Sequence, residues 1–386
     1  MVNFFHLLTD NIFSNYVVEM FDSMTDIPNV EHSYFMINRY KKVSHLKLNV
    51  FEKIIFVKSE KQFVKQANLS ADFVMLHQLS SPTLSISPWH LLKLRKDITL
   101  IWSTIGCDIY SDINFLEIKK ALTLNLYKPY TRKYIYGVKN TTELIKQLIR
   151  KIINGCLLKN IAYKKMLKRV NYISTVLLNE YELIKQNNKT NADFFHFKYI
   201  SKSFMAAEIK KNELGDMVLL GNSATETNNH LDILKILDDI KFDTSRLLIP
   251  LNYGNKQYGN MINSSCQKKQ MKAVVLLDFM AFDEYVALLN NCSYCIIGCI
   301  RQQAVGNIIL MLLRGVKLFL YKDSVIFKYL ISRGYYVFSI DDISSESFAF
   351  PLTIEQKEWN FTLIANEYDY TKFIEDLKIT IESLVE

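Results

Sequence analysis

The chain has 386 residues, 49% hydrophobic and 22% charged, with Gly and Pro scarce at 11 and 6; this suits a globular protein with length for two domains and excludes a disordered or low-complexity chain. The 47 basic and 39 acidic residues leave a net charge of +8, an excess too small for a nucleic-acid-binding domain, and no nucleic-acid motif accompanies it, so no nucleic-acid partner is expected. The first residues lack the basic region and cleavage site of a secretory signal, and the longest apolar runs, such as 308–313, fall far short of a span, so a cytoplasmic protein is expected, with any membrane contact peripheral.

Short apolar runs alternate with amphipathic stretches almost throughout, the signature of an α/β architecture. Residues 2–8 read as a strand running into Thr9, Asp10 and Asn11, and residues 12–24 as a helix. Strands are predicted at 31–37, 53–57 and 73–76, the last ending in His77 and Gln78, and at 98–102, ending in Ser103 to Gly106, Cys107 and Asp108. Residues 141–158 and 161–169 are helix-like and carry Lys146, Arg150, Lys151, Lys159, Lys164, Lys165, Lys168 and Arg169. Such a face suits the phosphates of an anionic membrane or a lipid pyrophosphate, or is simply solvated. A strand at 171–177 and a helix at 179–186 lead to the polar stretch 186–192, the strongest break in the chain.

A second α/β series begins at residue 216. It has strands at 216–220, 246–249, 273–276, 294–297 and 316–320, and helices at 228–237, 282–291 and 304–313. The pattern predicts two Rossmann-like α/β domains, 1–205 and 206–386, facing one another across a central cleft, with the last helices returning to the first domain. Ligands then bind at the carboxyl ends of the strands. Cys292, Cys295 and Cys299 have metal-like spacing but lie where a helix end runs into a buried strand, and read as small core residues.

Three turns of the second series can hold an anion. Gly221, Asn222 and Ser223 join a strand to a helix and present backbone N–H groups and short polar side chains; helix capping explains the same residues. Arg301, Gln302, Gln303, Gly306 and Asn307 sit between a buried strand and a strongly apolar helix, where a guanidinium and amides suit a pyrophosphate and Gly306 permits close approach. Asn252 and Tyr253 follow a strand closed by Pro250; Tyr253 can stack on a base, or the segment is a surface turn punctuated by Gly254. In the first half, Asp10, His77 and Asp108 each follow a strand's carboxyl end and are candidates for the base that takes an acceptor proton, while capping and core packing explain each singly. There is no GxGxxG and no P-loop.

These residues carry a resemblance. His6 to Asp10, Trp102 to Tyr110, Leu220 to Ser223 with Asn228 and His230, Ile249 to Tyr253, and Phe282 to Leu289 continuing to Arg301 to Gly306 occur in the order found in the TDP-Fuc4NAc:lipid II Fuc4NAc transferases, the glycosyltransferase family 56 type of enzyme. The chain resembles that family from its first strand to about residue 330. It departs from the family in the basic middle region and in the residues preceding Gly106. The resemblance implies a GT-B fold, with a lipid-linked oligosaccharide acceptor on the N-terminal domain and a TDP-sugar donor on the C-terminal domain. It also implies an undecaprenyl-pyrophosphate carrier at the cytoplasmic face of the inner membrane, and surface-polysaccharide synthesis such as enterobacterial common antigen or O-antigen.

The expected chemistry is glycosyl transfer without a metal or other cofactor. Arg301, Gln302, Gln303 and the amides near Gly306 and Asn307 take the departing diphosphate, and Asn222, Ser223 and Tyr253 the nucleotide. Asp108 is the first candidate for base or acceptor orientation, followed by Asp10 and His77. A different nucleotide-deoxysugar, an epimerase of similar architecture and a non-catalytic scaffold are the alternatives.

Overall fold

A computed structural model describes residues 1–24, 26–38, 43–79, 87–112, 120–137, 149, 156–200, 215–278 and 280–386. The expected helix at 141–158 and the division between residues 205 and 206 lie largely or wholly outside these described residues.

The strands of the first half are β1 (Val2–Leu8), β2 (Val30–Ile37), β3 (Ile54–Val57), β4 (Phe73–His77), β5 (Thr99–Ser103), β6 (Tyr110–Asp112), β7 (Leu122–Leu124), β8 (Tyr172–Ser174) and β9 (Asp193–Phe194). Seven of them form one parallel sheet in the order β3-β2-β1-β4-β5-β8-β9, and β6 and β7 pair separately. The second half contributes β10 (Met217–Leu220), β11 (Leu247–Pro250), β12 (Val274–Leu276), β13 (Cys292–Ile297), β14 (Lys317–Leu320) and β15 (Phe338–Ser339), also parallel, in the order β12-β11-β10-β13-β14-β15. Both sheets are doubly wound. The order reverses between β1 and β4 in one and between β10 and β13 in the other, and each reversal opens a crevice at the carboxyl ends.

Apolar runs buried on both faces make these strands. β4 and β13 are buried along their whole length, as expected where helices cover a parallel sheet on both sides. Cys292 and Cys295 belong to β13 and are fully buried. The polar segment after Pro250 is shorter than the sequence suggests. Asn255 accepts the N–H groups of Gln257 (3.0 Å) and Tyr258 (3.3 Å) and starts a helix, Lys256–Lys268. Tyr258, Ile262 and Cys266, four residues apart, are buried on its inner face. The helix predicted at 228–237 begins at His230, because Glu226–Asn228 forms a 3₁₀ turn and Asn229 adopts a left-handed conformation.

A polar clasp joins the halves. The helix Pro129–Gly137 of the first half starts on the carboxylate of Asp232, which accepts the N–H of Tyr130 (2.8 Å) and of Thr131 (2.9 Å). Buried Asn229 accepts the N–H of Lys128 (2.8 Å) and donates to the carbonyls of Leu126 (3.1 Å) and Gly298 (2.7 Å). At the chain's end the helix Tyr370–Val385 places Phe373 against Phe197 and pairs Lys378 with Asp26 (2.7 Å), so it packs on the first sheet's side. No described helix is long and apolar enough to cross a membrane.

Asp232→Ala leaves the buried Thr131 N–H and the partly buried Tyr130 N–H without their acceptor. It should lower stability by about 1–3 kcal/mol in urea unfolding, and Asp232→Asn should recover part of the loss.

Candidate functional site

The carboxyl edges of the two sheets enclose a cleft of about 320 Å³. Thr104, Ser174, Thr175 and Tyr199 line it from the first half, and Asn222, Gln302, Gly306 and Asn307 from the second. Phe13, Phe197, Val305 and Ile309 make much of the remaining wall apolar. The edges touch at Gly106, where a methyl group would overlap the Gln302 carbonyl and lie 2.6 Å from Arg301 Nη1. Only a residue without a side chain fits this approach.

On the second half the helix Val305–Leu313 opens into the cleft. Its N-cap is Ala304, held left-handed at φ 63° and offering no side-chain cap, so the N–H groups of the first turn are left for a ligand. A left-handed alanine is costly and persists only where its surroundings impose it. Asn222 and Gln303 are joined by a 3.3 Å hydrogen bond from Gln303 Nε2 to Asn222 Oδ1, and Gln303 Oε1 accepts from Thr227 (2.5 Å). This fixes the amides at the floor of the β10–β13 crevice. Ser223 is buried and shares a 2.9 Å contact with Thr225, and Asn307 donates to Tyr285 (2.7 Å). Tyr253 is 70% exposed on the outer loop, away from the cleft lining. Gly221 is left-handed at φ 73° and lies where a Cβ would come within 2.5 Å of His230 Nε2.

Arg301 donates to the Gln302 carbonyl (3.0 Å) and reaches towards the first half. Its charge acts there on a buried pair: Tyr110 donates to Glu180 (2.7 Å), whose other oxygen accepts the N–H of Leu177 (3.0 Å). Burial raises the Glu180 carboxyl to about 7 against the pull of Tyr110, Leu177 and Arg301. Glu180 is not legible in the sequence as a site residue, because it reads as one acid among several on an amphipathic helix. Ser174 and Thr175 carry a signal that sequence reasoning missed, as polar residues closing the short strand β8.

The first-half candidates are placed in three different ways. Asp10 accepts the N–H groups of Ser44 (2.9 Å) and His45 (3.1 Å) and holds that loop. Asp108 is fully buried and accepts the Ile105 N–H at 3.4 Å, within the turn that carries Gly106. His77 is buried at the end of β4, with Nδ1 3.2 Å from Tyr199 Oη and Nε2 3.1 Å from His6. Beside it Gln78, left-handed at φ 53°, accepts from Thr9 (3.0 Å) and Asn11 and ties the β1–β4 crevice together. Ser103 Oγ and Thr104 Oγ1 are buried with no hydrogen-bond partner among the described residues. Among the described residues no three His, Cys, Asp or Glu side chains are arranged to hold a metal ion.

Residues 155–350 match the family model of the 4-alpha-L-fucosyltransferase glycosyl transferase group 56. Among solved structures, a glycosyltransferase from Rickettsia africae is similar over 100% of this chain and 98% of its own, with a TM-score of 0.62 and 10% identity. HepE from Anabaena, in complex with UDP, is similar over 99% of this chain and 100% of its own, at 0.59 and 9%. The lipopolysaccharide outer core galactosyltransferase WaaB is similar over 99% and 100%, at 0.57 and 9%. These likenesses show the fold, two facing Rossmann-like α/β units of the GT-B type.

Gly106→Ala should force the edges apart and lower stability by about 1–3 kcal/mol, read as a fall in the urea midpoint. A second expectation concerns pH. Burial holds His77 and His230 at about 3 and His6 well below the usual range, so all three are neutral in the folded protein. Unfolded imidazoles gain a proton below about pH 6.5, so the stability they confer is complete above that pH and is lost as pH falls towards the folded values. Urea unfolding at pH 5 should show a loss of about 2 kcal/mol per imidazole relative to pH 7.5. His230→Gln should make the decline shallower.

Proposed function

The chain belongs to the 4-alpha-L-fucosyltransferase glycosyl transferase group 56 family and is a glycosyltransferase, and on that premise we propose that it transfers a Fuc4NAc-like deoxy-amino sugar from a TDP-sugar to an undecaprenyl-pyrophosphate-linked oligosaccharide in bacterial surface-polysaccharide synthesis. The observation that carries the reading is the uncapped start of the helix Val305–Leu313, opening into a cleft beside Arg301 and facing the carboxyl edge of the other sheet.

In the reaction an acceptor hydroxyl oxygen bonds to the anomeric carbon of the donor. The bond from that carbon to the diphosphate breaks with its electron pair left on the diphosphate, and the acceptor proton departs to a base. Negative charge grows on the diphosphate as the bond breaks. Arg301, Gln302, Gln303 and the first-turn amides at Gly306 and Asn307 meet that charge with donors already in place. Asn222 and Ser223 hold the nucleotide; Tyr253 lies on the exposed loop outside the cleft lining and takes no part. No metal is required, because a guanidinium and a helix N-terminus supply the positive potential.

The apolar wall at Phe197, Val305 and Ile309 favours a sugar with a methyl group in place of a hydroxymethyl, which is why a 6-deoxysugar is preferred. Ser103 and Thr104, with hydroxyls lacking partners among the described residues, are suited to acceptor hydroxyls on the first half. In this reading residues 1–205 bind the acceptor and residues 206–386 the donor. Asp108 and Asp10, both occupied in holding loops, orient the acceptor side. His77 stands one hydrogen bond behind Tyr199, at the cleft wall. Lys164, Lys165 and Lys168 are exposed on the helix Cys156–Arg169 and face the anionic inner-membrane surface on which the carrier lies. The site is thus peripheral on the cytoplasmic face. A UDP-deoxysugar is the second donor candidate, because HepE of the same fold holds UDP.

Millimolar TDP, UDP, GDP and CMP added separately in thermal unfolding should discriminate the donor. A ligand at a hundred times its Kd stabilises the folded state by about 2.7 kcal/mol, and the rise is expected with TDP. Arg301→Ala should abolish that rise and lower turnover about a hundredfold or more. No rise with any nucleotide, or an Arg301→Ala variant that binds and turns over normally, overturns this assignment.

A further inference from the structure

The charge in the wall of the cleft comes from the first half. Among the described residues that line it, Lys198 is the one charged side chain; Arg301 stands beside the lining, not in it. The ends of neighbouring strands bring Lys198 to this wall. Ser103 and Ser174 pair at the carboxyl ends of β5 and β8. Thr104 donates its N–H to the Ser174 carbonyl (2.8 Å), and Ser174 Oγ donates to the carbonyl of Phe197 (2.9 Å), the residue before Lys198. The hydroxyls of Ser103 and Thr104 line the same wall, buried and without a hydrogen-bond partner among the described residues. Side chains left open in this way mark a surface built for a ligand.

The Lys198 ammonium is also under-used. Its side chain is only 17% exposed. It donates to the Glu367 carbonyl (2.8 Å) and lies 4.4 Å above the centre of the Tyr368 ring. The Glu367 carboxylate is 4.0 Å away, too far for a hydrogen bond, and is taken by the hydroxyls of Tyr329 and Tyr335. Of the three ammonium donors, one therefore has an acceptor among the described residues. Burial lowers the pKa of this ammonium, Glu367 raises it and Arg333 lowers it again. A tie between the segment at 198 and the helix ending at Glu367 would be served better by a close ion pair. A nearly buried cation with open donors is instead matched by an anion. Across the cleft the uncapped N–H groups of Val305, Gly306 and Asn307 are donors as well. No carboxylate is among the described lining residues. Donors face donors, and a group with acceptor oxygens at both ends is what complements them.

We propose that Lys198 is a phosphate-binding residue of the cleft, gripping from the first half the diphosphate that the helix start at Val305 holds from the second; this deepens the transferase reading and rests on it for which diphosphate is bound. Two sources share this chemistry, the nucleoside diphosphate of the donor and the pyrophosphate of a lipid carrier. In the first case Lys198 meets the charge that grows on the leaving group from the side opposite the helix, and the ligand bridges the two halves. Ser103 and Thr104 remain beside it for acceptor hydroxyls.

The test uses the full chain and inorganic pyrophosphate. At millimolar concentration pyrophosphate should raise the thermal unfolding midpoint, and Lys198→Met should abolish the rise; methionine keeps the stem against Tyr368. Glu367→Gln removes the carboxylate but not the carbonyl that Lys198 uses, and should keep the rise. Equal loss in the two variants marks a structural tie and overturns the assignment, as does no rise in the unsubstituted chain or an unchanged rise in Lys198→Met. Should Lys198→Met fail to fold, the unsubstituted chain decides. Pyrophosphate at about ten times its Kd should slow acetylation of Lys198 by acetic anhydride about tenfold, read by mass spectrometry, and sodium chloride of equal ionic strength should not. Unprotected Lys198 overturns the proposal. TDP and farnesyl diphosphate then separate the sources. A Kd for TDP weakened about tenfold or more in Lys198→Met assigns the residue to the donor, and the same loss for farnesyl diphosphate alone assigns it to the carrier. Weakening of neither overturns it. A rise with pyrophosphate that depends on Lys198, in a chain that binds no nucleotide, keeps the phosphate site and removes the TDP-donor assignment instead.

Discussion

Everything at the site depends on two parallel sheet edges meeting with no side chain between them. At Gly106 the backbone of the first half lies directly against the Gln302 carbonyl and Arg301 of the second. Because every strand in a parallel sheet points the same way, each edge gathers the polar turns that end its strands. Opposing two such edges puts two sets of donors and acceptors around one cleft. The clasp of Asn229 and Asp232 on residues 126–131 holds the halves in register from the flank.

The local conformations at these edges are strained in corresponding places. Gln78 follows β4 and Ala304 comes after β13, and both are left-handed without being glycine. In both sheets these strands flank the reversal of strand order. Each left-handed residue turns the chain sharply: Gln78 carries the Thr9–Asn11–Gln78 network in the first half, and Ala304 the open helix start at the cleft in the second. Strain at such points persists when surrounding contacts over-determine it, and the network and the buried helix Val305–Leu313 supply those contacts.

Several polar groups buried in the first sheet are paired with one another. His6 contacts both His32 and His77, His77 also contacts Tyr199, and Glu180 is held by Tyr110 and a backbone amide, while His32 Nε2 has no hydrogen-bond partner among the described residues. The low dielectric that makes an unpaired group costly also makes these paired ones strong.

The sequence by itself determined the alternation of strands and helices, the two Rossmann-like α/β series and the polar turns where strands end. Periodicity and apolar runs are local properties, and residues such as Gly221, Arg301 and Gln302 come within a few positions of their strands. It also carried the family, through short motifs in fixed order. It did not separate Asp10, Asp108 and His77, which look alike as polar residues after a strand yet hold a loop, cap a turn and join a histidine chain. Nor did it reveal Glu180, Tyr199 or the partnership of His6 with His32. These contacts span 26 to 122 residues of chain, and no pattern along a strand encodes which neighbour lies beside it. Sheet order and the approach of the second half decided them, since pairing and burial are set only when distant segments pack.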